Sequence, residues 1–381
     1  MLTGMTLVPY INRDRLTDTF IELVRTNSPS FAERYIGDAL AAKLEKAGFR
    51  VTFQEYGRSF NLIAHKKGSR PESLPLMLSA HMDTIEPTEG ISFAVENDLI
   101  RTTGATVLGA DDKSALAQIV EAVTVLGERD IPHGDLEIVF SSAEEKGLCG
   151  ARNLDFPAIK SRHALVLDSS GSVGKLIVAA PTHRTYEMRI TGRPAHAGIE
   201  PEKGINAIRV AARIIAEVPD GRIDDRTTAN IGIITGGTAT NVVPKEVIIN
   251  GELRSHDRAT LDKTQMQIMD TARRIAEEHH ALLSISVQEE YTAFTIAQDE
   301  PFIRFLAGVF RKCGIEPSCA ATGGGSDANI FHTRGIQAVN LSNGMQKVHS
   351  TEEFIYMEDL FNGCLVTLEA IADFADFSMA L

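Results

Sequence analysis

Leu74-Pro75-Leu76-Met77-Leu78-Ser79-Ala80-His81-Met82-Asp83 is the stretch on which the fold turns. Leu74 to Ala80 is an apolar run behind Pro71 with the length of a buried strand, and it delivers His81 and Asp83. The pattern returns twice. Leu136 to Ser141 is a short apolar run that delivers Glu144 and Glu145, and Ala164 to Leu167 delivers Asp168. Between them, Lys113 to Gly127 has helical periodicity. Apolar strands alternating with helices predict an α/β fold with a mainly parallel sheet. Ligands bind such sheets outside the carboxyl ends of the strands, where all three motifs fall.

Working outward, Ser30-Phe31-Ala32-Glu33 has the form of a capping box opening an amphipathic helix that Gly48 can close. Phe49 to Phe53 and Phe60 to His65 read as strands. The pattern changes near Pro181. Arg184 to Ile190 alternates like a half-buried strand, Gly204 to Glu217 reads as a helix ended by Pro219, and Thr228 to Thr235 and Glu246 to Arg254 read as strands around Gly236-Gly237. Leu261 to His279 is a long helix and Leu282 to Glu289 a last strand. The order β-α-β-β-α-β predicts an inserted ferredoxin-like α+β domain over residues 180–292. Glu300 to Cys313 is then helical, Gln337 to Leu341 a strand and Met357 to Phe374 a closing helix. His349 falls in this last part, so residues 293–381 are expected to rejoin residues 1–179 in one catalytic metal-binding domain.

Composition narrows the function. The chain has 381 residues, enough for two or three domains, with ordinary hydrophobic (43%) and charged (23%) content. A formal net charge of −13 disfavours nucleic acid or an anionic membrane as partner, since either needs a basic face. Cys149, Cys313, Cys319 and Cys364 are scattered without CxxC spacing and read as free thiols in a reducing compartment. Met1 to Arg15 has no basic segment followed by an apolar one, and no apolar run reaches the roughly 18 residues that span a bilayer. The expectation is a cytoplasmic protein.

His81, Asp111, Asp112, Glu144, Glu145, Asp168 and His349 carry metal-ligand chemistry. Two histidines and several carboxylates form a ligand set for two divalent ions, which points to metal-assisted hydrolysis. His81 and Asp83, two apart at a strand end, point the same way, so the carboxylate can influence a ligand histidine. Glu144 and Glu145 repel each other unless a cation is near, and one of such a pair can be a ligand while the other acts as general base. Each residue also has a bland reading as a strand end, an Asx-type turn, a helix cap or a loop histidine. All of those readings holding together, in this order at strand ends, is much less expected.

His81-Met82-Asp83-Thr84, Gly109-Ala110-Asp111-Asp112-Lys113, Ser142-Ala143-Glu144-Glu145, Leu167-Asp168 and His349-Ser350 resemble the five metal-site motifs of the co-catalytic dinuclear zinc metallopeptidases, the family of peptidase T, carboxypeptidase G and the aminoacylases. Gly192-Arg193-Pro194-Ala195-His196-Ala197-Gly198, Asn206-Ala207-Ile208, Thr240-Asn241-Val242-Val243-Pro244 and Gly323-Gly324-Gly325-Ser326-Asp327 resemble further segments of it. The resemblance covers essentially the whole chain and is nearest to peptidase T-like proteins.

It implies that Asp111 bridges two metals, that His81 and Asp168 hold one ion and Glu145 and His349 the other, that Glu144 is the general base and that Asp83 orients His81. It also implies a cis Asp111-Asp112 peptide, an oxyanion role for His196 reaching a neighbouring subunit, and substrate contacts from Arg254, Asn241 and the Gly324 region. Arg254 suits a carboxylate because a guanidinium binds one bidentately. The inserted domain is expected to serve as lid and dimerisation element, making a homodimer. The metals are expected to be two zinc ions, with cobalt or manganese possible. The expected activity is that of an aminopeptidase or tripeptidase on short peptides. The rival within the family is an N-acyl amino acid amidohydrolase or carboxypeptidase, and the rival outside it a catalytically silent metal-binding relative, against which the presence of Glu144 argues.

Overall fold

Parallel pairing joins the strands that carry the acidic motifs. In the computed structural model, which describes residues 6–377, Leu76–His81 lies between Leu136–Ser141 and His163–Ser169 and runs parallel to both. Gln337–Ser342 continues the sheet beside His163–Ser169 in the same sense. Leu76–His81 and Leu136–Ser141 are buried along their whole length, as strands covered on both faces must be. Ser59–Lys66 and Arg50–Tyr56 extend the sheet antiparallel beyond Leu136–Ser141. Met1–Met5 and Ser378–Leu381, the two ends of the expected catalytic domain, lie outside the described residues.

The chain divides into two compact units. One takes the chain up to Val178, Thr295–Ala321 and everything from Ser326; the other takes Ala179–Phe294 and Thr322–Gly325. In the first, the Ala110–Glu128 helix is buried almost throughout and packs against Arg13–Arg25 and Met357–Phe374. Gly363 makes the second contact close: a Cβ there would stand 2.3 Å from Gln118 Nε2. Gln118 in turn donates to the Asn343 carbonyl at 2.7 Å. Asp111 and Asp112 are not helical, so the regular helix begins at Lys113, where the periodicity places it.

The second unit is an antiparallel sheet with two helices on one face, as expected for the inserted α+β fold. Thr182–Thr191 is flanked by Glu246–Ser255 and Leu282–Tyr291, and Thr227–Gly236 lies outside Glu246–Ser255. Thr182–Thr191 alternates buried and half-buried residues along its length, which sends Tyr186, Met188 and Ile190 into the core. The Ala207–Glu217 helix meets them with Ala207, Val210, Ala211 and Ile214, spaced for one helical face. Thr322–Gly325 comes to this unit from far along the chain; Thr322 N–H donates to the Ala179 carbonyl at 2.9 Å.

Three local expectations change. The Ser30–Glu33 capping box does not form: the helix spans Arg34–Lys46 without a side-chain cap. Ser30 Oγ instead donates to Asp83 Oδ2 at 2.7 Å, and Glu33 turns inward to accept the Phe31 and Ala143 N–H groups at 2.8 and 2.9 Å. Buried backbone donors need acceptors, and this one serves a loop rather than its own helix. The helix expected from Gly204 begins at Ala207, because Asn206 caps it by accepting the Arg209 N–H at 3.0 Å. A small antiparallel sheet, formed by Phe93–Glu96, Leu99–Thr102, Met345–Gln346 and Phe354–Tyr356, was not anticipated; strands of two to four residues are too short to show a period.

Candidate metal centre

Three strands of the parallel sheet end at candidate ligands. His81 closes Leu76–His81, Asp168 sits at the end of His163–Ser169, and Glu144 and Glu145 follow Leu136–Ser141 through Ala143, whose φ of 49° turns the chain sharply. Asp111 comes from the non-helical approach to the Ala110–Glu128 helix, and the Asp111-Asp112 peptide is cis. His349 lies on an exposed loop with φ 62°. Three groups of ligand atoms lie within 4.8 Å of one another: His81, Asp111 and Asp168; Asp111, Glu145 and His349; and His81, Glu144 and Glu145.

Asp111 belongs to the first two groups and divides its oxygens between them. Oδ1 is 2.9 Å from His81 Nε2, and Oδ2 is 3.3 Å from His349 Nε2. His349 Nε2 is also 2.9 Å from Glu145 Oε1, and His81 Nε2 is 3.9 Å from Asp168 Oδ1. Burial, and then the neighbouring Asp168, push the Glu144 carboxyl well above its ordinary range; burial and then Asp111 do the same to Asp168. The Asp111 and Glu145 carboxylates push His349 up to about 11. Burial pulls His81 down, but its hydrogen bonds to Asp111 and Asp83 outweigh that and hold it well above normal. A site that raises buried acids and makes its histidines hold protons is short of positive charge. The donor set, imidazole nitrogens and carboxylate oxygens in two groups sharing one carboxylate, fits two divalent cations.

A second ring of buried polar groups fixes the ligands, and most of it was not foreseen. His81 Nδ1 lies 2.8 Å from the Asp83 carbonyl oxygen and 3.5 Å from its carboxylate, so Asp83 holds the ring mainly through its backbone. The Asp83 carboxylate accepts the Glu144 N–H at 2.9 Å and the Glu145 N–H at 3.3 Å, which shapes the acidic turn. Asp112 accepts the His81 N–H at 3.2 Å and is held by Asn343 Nδ2 at 2.9 Å, which also donates to the Leu167 carbonyl. Asn340 pairs with both backbone groups of Asp168 at 2.9 and 2.8 Å. Glu353 accepts the Gly109 and Asp111 N–H groups. Only the adjacency of Glu352 and Glu353 to the His349 motif could have drawn attention to the last; Asn340 and Asn343 carry no pattern of their own.

The remaining expected residues belong to the second unit. His196 and Asn241 are neighbours there: Ala197 N–H donates to the Asn241 carbonyl at 3.0 Å, and His196 Nδ1 accepts the Gly198 N–H at 3.2 Å. Both are exposed. Arg254 is half-buried and already engaged. Its Nε and Nη2 meet the two Glu252 oxygens at 3.1 Å each, and Nη1 reaches Tyr291 Oη at 3.3 Å and the Gly323 carbonyl at 3.4 Å, next to Gly324. His183 and then Arg254 bring Glu252 down to about 2. One fork of the guanidinium is therefore taken by Glu252.

Known proteins match this chain in sequence and in fold. The peptidase dimerisation domain family, M20_dimer, matches residues 179–280, and peptidase family M28 matches residues 61–198. The uncharacterized protein YqjE of Bacillus subtilis strain 168 is 37% identical over 355 residues, 92% of this chain and 95% of that protein. The crystal structure of aminopeptidase PepT from Bacillus cereus ATCC 10987 is 36% identical, with a TM-score of 0.86 over 96% of this chain and all of that one. That of a tripeptidase from Staphylococcus aureus is 34% identical, with a TM-score of 0.91 over 97% of this chain and all of that one.

Proposed function

This chain belongs to the peptidase T-like family of M20 metallopeptidases, and on that premise we propose that it removes the amino-terminal residue from short peptides, tripeptides foremost. The observation that carries the proposal is the sharing of Asp111 between two ligand groups, with Glu144 beside one of them. Asp111, His81 and Asp168 would hold one ion, and Asp111, Glu145 and His349 the other. Zinc suits imidazole and carboxylate in this proportion, with cobalt or manganese as substitutes. When bound, the two ions polarise the scissile carbonyl and make water a stronger acid.

The chain's own residues do the rest. Glu144 accepts a proton from the attacking water and returns it to the leaving amine. Asp83 keeps His81 in one orientation and the Glu144–Glu145 turn in place. His196, with Nδ1 accepting a backbone N–H, keeps its proton on Nε2 and offers it to the developing oxyanion. Asn241 and the Gly324 backbone contact the peptide, and Arg254 takes its terminal carboxylate.

The second unit pairs two copies of the chain. The M20_dimer match supports this, as does the Thr227–Gly236 strand: Gly221–Asp224 pairs only with its Thr227–Ala229 end, and beyond it Ile233 and Ile234 are 56% and 51% exposed. In such a dimer His196 serves the site of the other copy. Among the described residues no helix is long and apolar enough to cross a membrane. Our reading keeps the enzyme in the cytoplasm, where its four cysteines stay reduced.

Release of free amine from tripeptides, dipeptides and N-acetylated amino acids, each with added zinc, cobalt or manganese, tests the activity. Cleavage only of peptides with a free amino terminus is the expected result. Preference for the N-acetylated set would move the chain to the amidohydrolase or carboxypeptidase side of the family. No turnover with two ions bound would point to the silent relative.

Arg254→Gln tests the carboxylate grip. It is expected to raise KM for a free tripeptide about 10–100-fold, the worth of a charged hydrogen bond, with zinc content unchanged. The same tripeptide with an amidated carboxyl end should be a poor substrate for the unaltered enzyme and lose little further in the variant. Equal losses on acid and amide would remove Arg254 from that role.

A further inference from the structure

We propose that Glu353 is a positioning residue for the metal centre, tying the loop that carries His349 to the backbone that presents Asp111. The inference rests on the dinuclear reading and adds a residue that none of the five metal-site motifs contains.

Glu353 is 1% exposed, and both of its carboxylate oxygens are spent on one short stretch of backbone. Oε2 accepts the Gly109 N–H at 2.7 Å and Oε1 the Asp111 N–H at 3.0 Å. That stretch needs an outside acceptor. Gly109 has φ 74°, and Asp111 and Asp112 are non-helical, so these N–H groups precede the regular helix and find no carbonyl one turn back. Glu353 is itself fixed at both ends. Its N–H donates to the Ser350 carbonyl at 3.2 Å, and its carbonyl accepts the Thr102 N–H at 3.2 Å.

The side chain thus spans two ligand-bearing segments. Asp111 is on one and His349, four residues before Glu353, on the other. Their ligand atoms, Oδ2 and Nε2, stand 3.3 Å apart. Moving either segment changes that distance, and Glu353 is a direct hydrogen-bonded link between the two stretches of chain. A carboxylate suits the task because it accepts from two N–H groups and donates nothing. Glutamine has nearly the same shape but would turn an NH2 toward one of the two donors. Aspartate keeps the charge and is one methylene shorter, so it can meet at most one of them well.

A buried carboxylate that accepts two N–H groups can also be plain scaffolding, and the molecule supplies the comparison. Glu137 is 3% exposed and accepts the Lys160 N–H at 3.0 Å and the Ser161 N–H at 2.8 Å. It lies near the start of the Leu136–Ser141 strand, the end opposite the acidic turn. Glu137→Gln therefore reports what the loss of such a carboxylate does to the fold alone.

The experiment is calorimetric titration of zinc chloride into the chelator-stripped full chain, with melting temperatures of the stripped and loaded protein, for the unaltered enzyme, Glu353→Gln, Glu353→Asp and Glu137→Gln. For Glu353→Gln the expected result is a Kd for at least one zinc raised about 10–100-fold, the scale for groups that orient ligands. The stripped protein should melt close to Glu137→Gln, and kcat should recover as zinc is raised. Glu353→Asp should fall between it and the unaltered enzyme. Zinc affinities unchanged in Glu353→Gln would overturn the proposal, as would an equal weakening in Glu137→Gln. If Glu353→Gln does not fold, unchanged affinities in Glu353→Asp overturn it in the same way. Failure of the unaltered enzyme to take up two zinc ions would strike the dinuclear reading itself, and is seen before any variant is compared.

Discussion

Glu144→Gln is expected to lower kcat on a free tripeptide by about 10²–10⁴-fold while two zinc ions stay bound. The substitution keeps the shape of the side chain and removes its ability to accept a proton. The turn around it does not depend on the carboxylate. The Glu144 and Glu145 N–H groups are held by Asp83, Ala143 N–H by Glu33, and the Glu144 carbonyl accepts the Leu148 N–H at 2.8 Å. The two ligand groups that share Asp111 are complete without Glu144. The variant should therefore fold, load metal and fail in chemistry. Steady-state kinetics with metal analysis of the same sample decides it. Loss of zinc together with activity would make Glu144 a ligand, and retained activity would place the base elsewhere.

Much of this was legible in the sequence, for reasons tied to particular residues. Apolar runs ending in His81, Glu144–Glu145 and Asp168 announce both a parallel sheet and the edge at which a site forms, because strand burial and ligand placement are written in one stretch of chain. The alternation of Arg184 to Ile190 announces a sheet with one covered face. Apart from Asp83, what holds the ligands was not legible. Glu33 reads locally as half of a capping box, yet its acceptors' partners include Ala143, far along the chain. Asn343 and Glu353 act on Asp112 and Asp111 across more than two hundred residues, and a lone Asn or Glu has no periodicity to betray it. The family resemblance points to Arg254 as a substrate contact, but its engagement with Glu252, two residues away on the same strand, follows from the strand placing both side chains on one face. Helix starts shifted by a few residues for the same reason: Asn206 takes the cap that Gly204 was expected to leave to the helix itself.

Asp111→Asn is expected to be the most damaging single change in the site, with zinc retained after dialysis falling from two ions to one or fewer and activity falling by more than about 10⁴-fold, beyond the range of a lost general base. The argument is geometric. Asp111 gives Oδ1 to the side of His81 and Oδ2 to the side of His349, so no other residue enters both of those groups as a shared carboxylate. Asparagine keeps one oxygen and turns an amide donor to the other side, where it repels a cation and offers nothing to a neutral imidazole except a proton. The loss of one negative charge also weakens both sites at once, since each is compensated by the same carboxylate. The backbone should be preserved, because Glu353 holds the Asp111 N–H and not its side chain. Zinc titration of the stripped variant separates the possible causes. Two weakened binding steps mark a bridge. One step lost with the other untouched would make Asp111 a ligand to a single ion, and two unaltered steps with activity lost would show that its part lies in the chemistry and not in holding the metals.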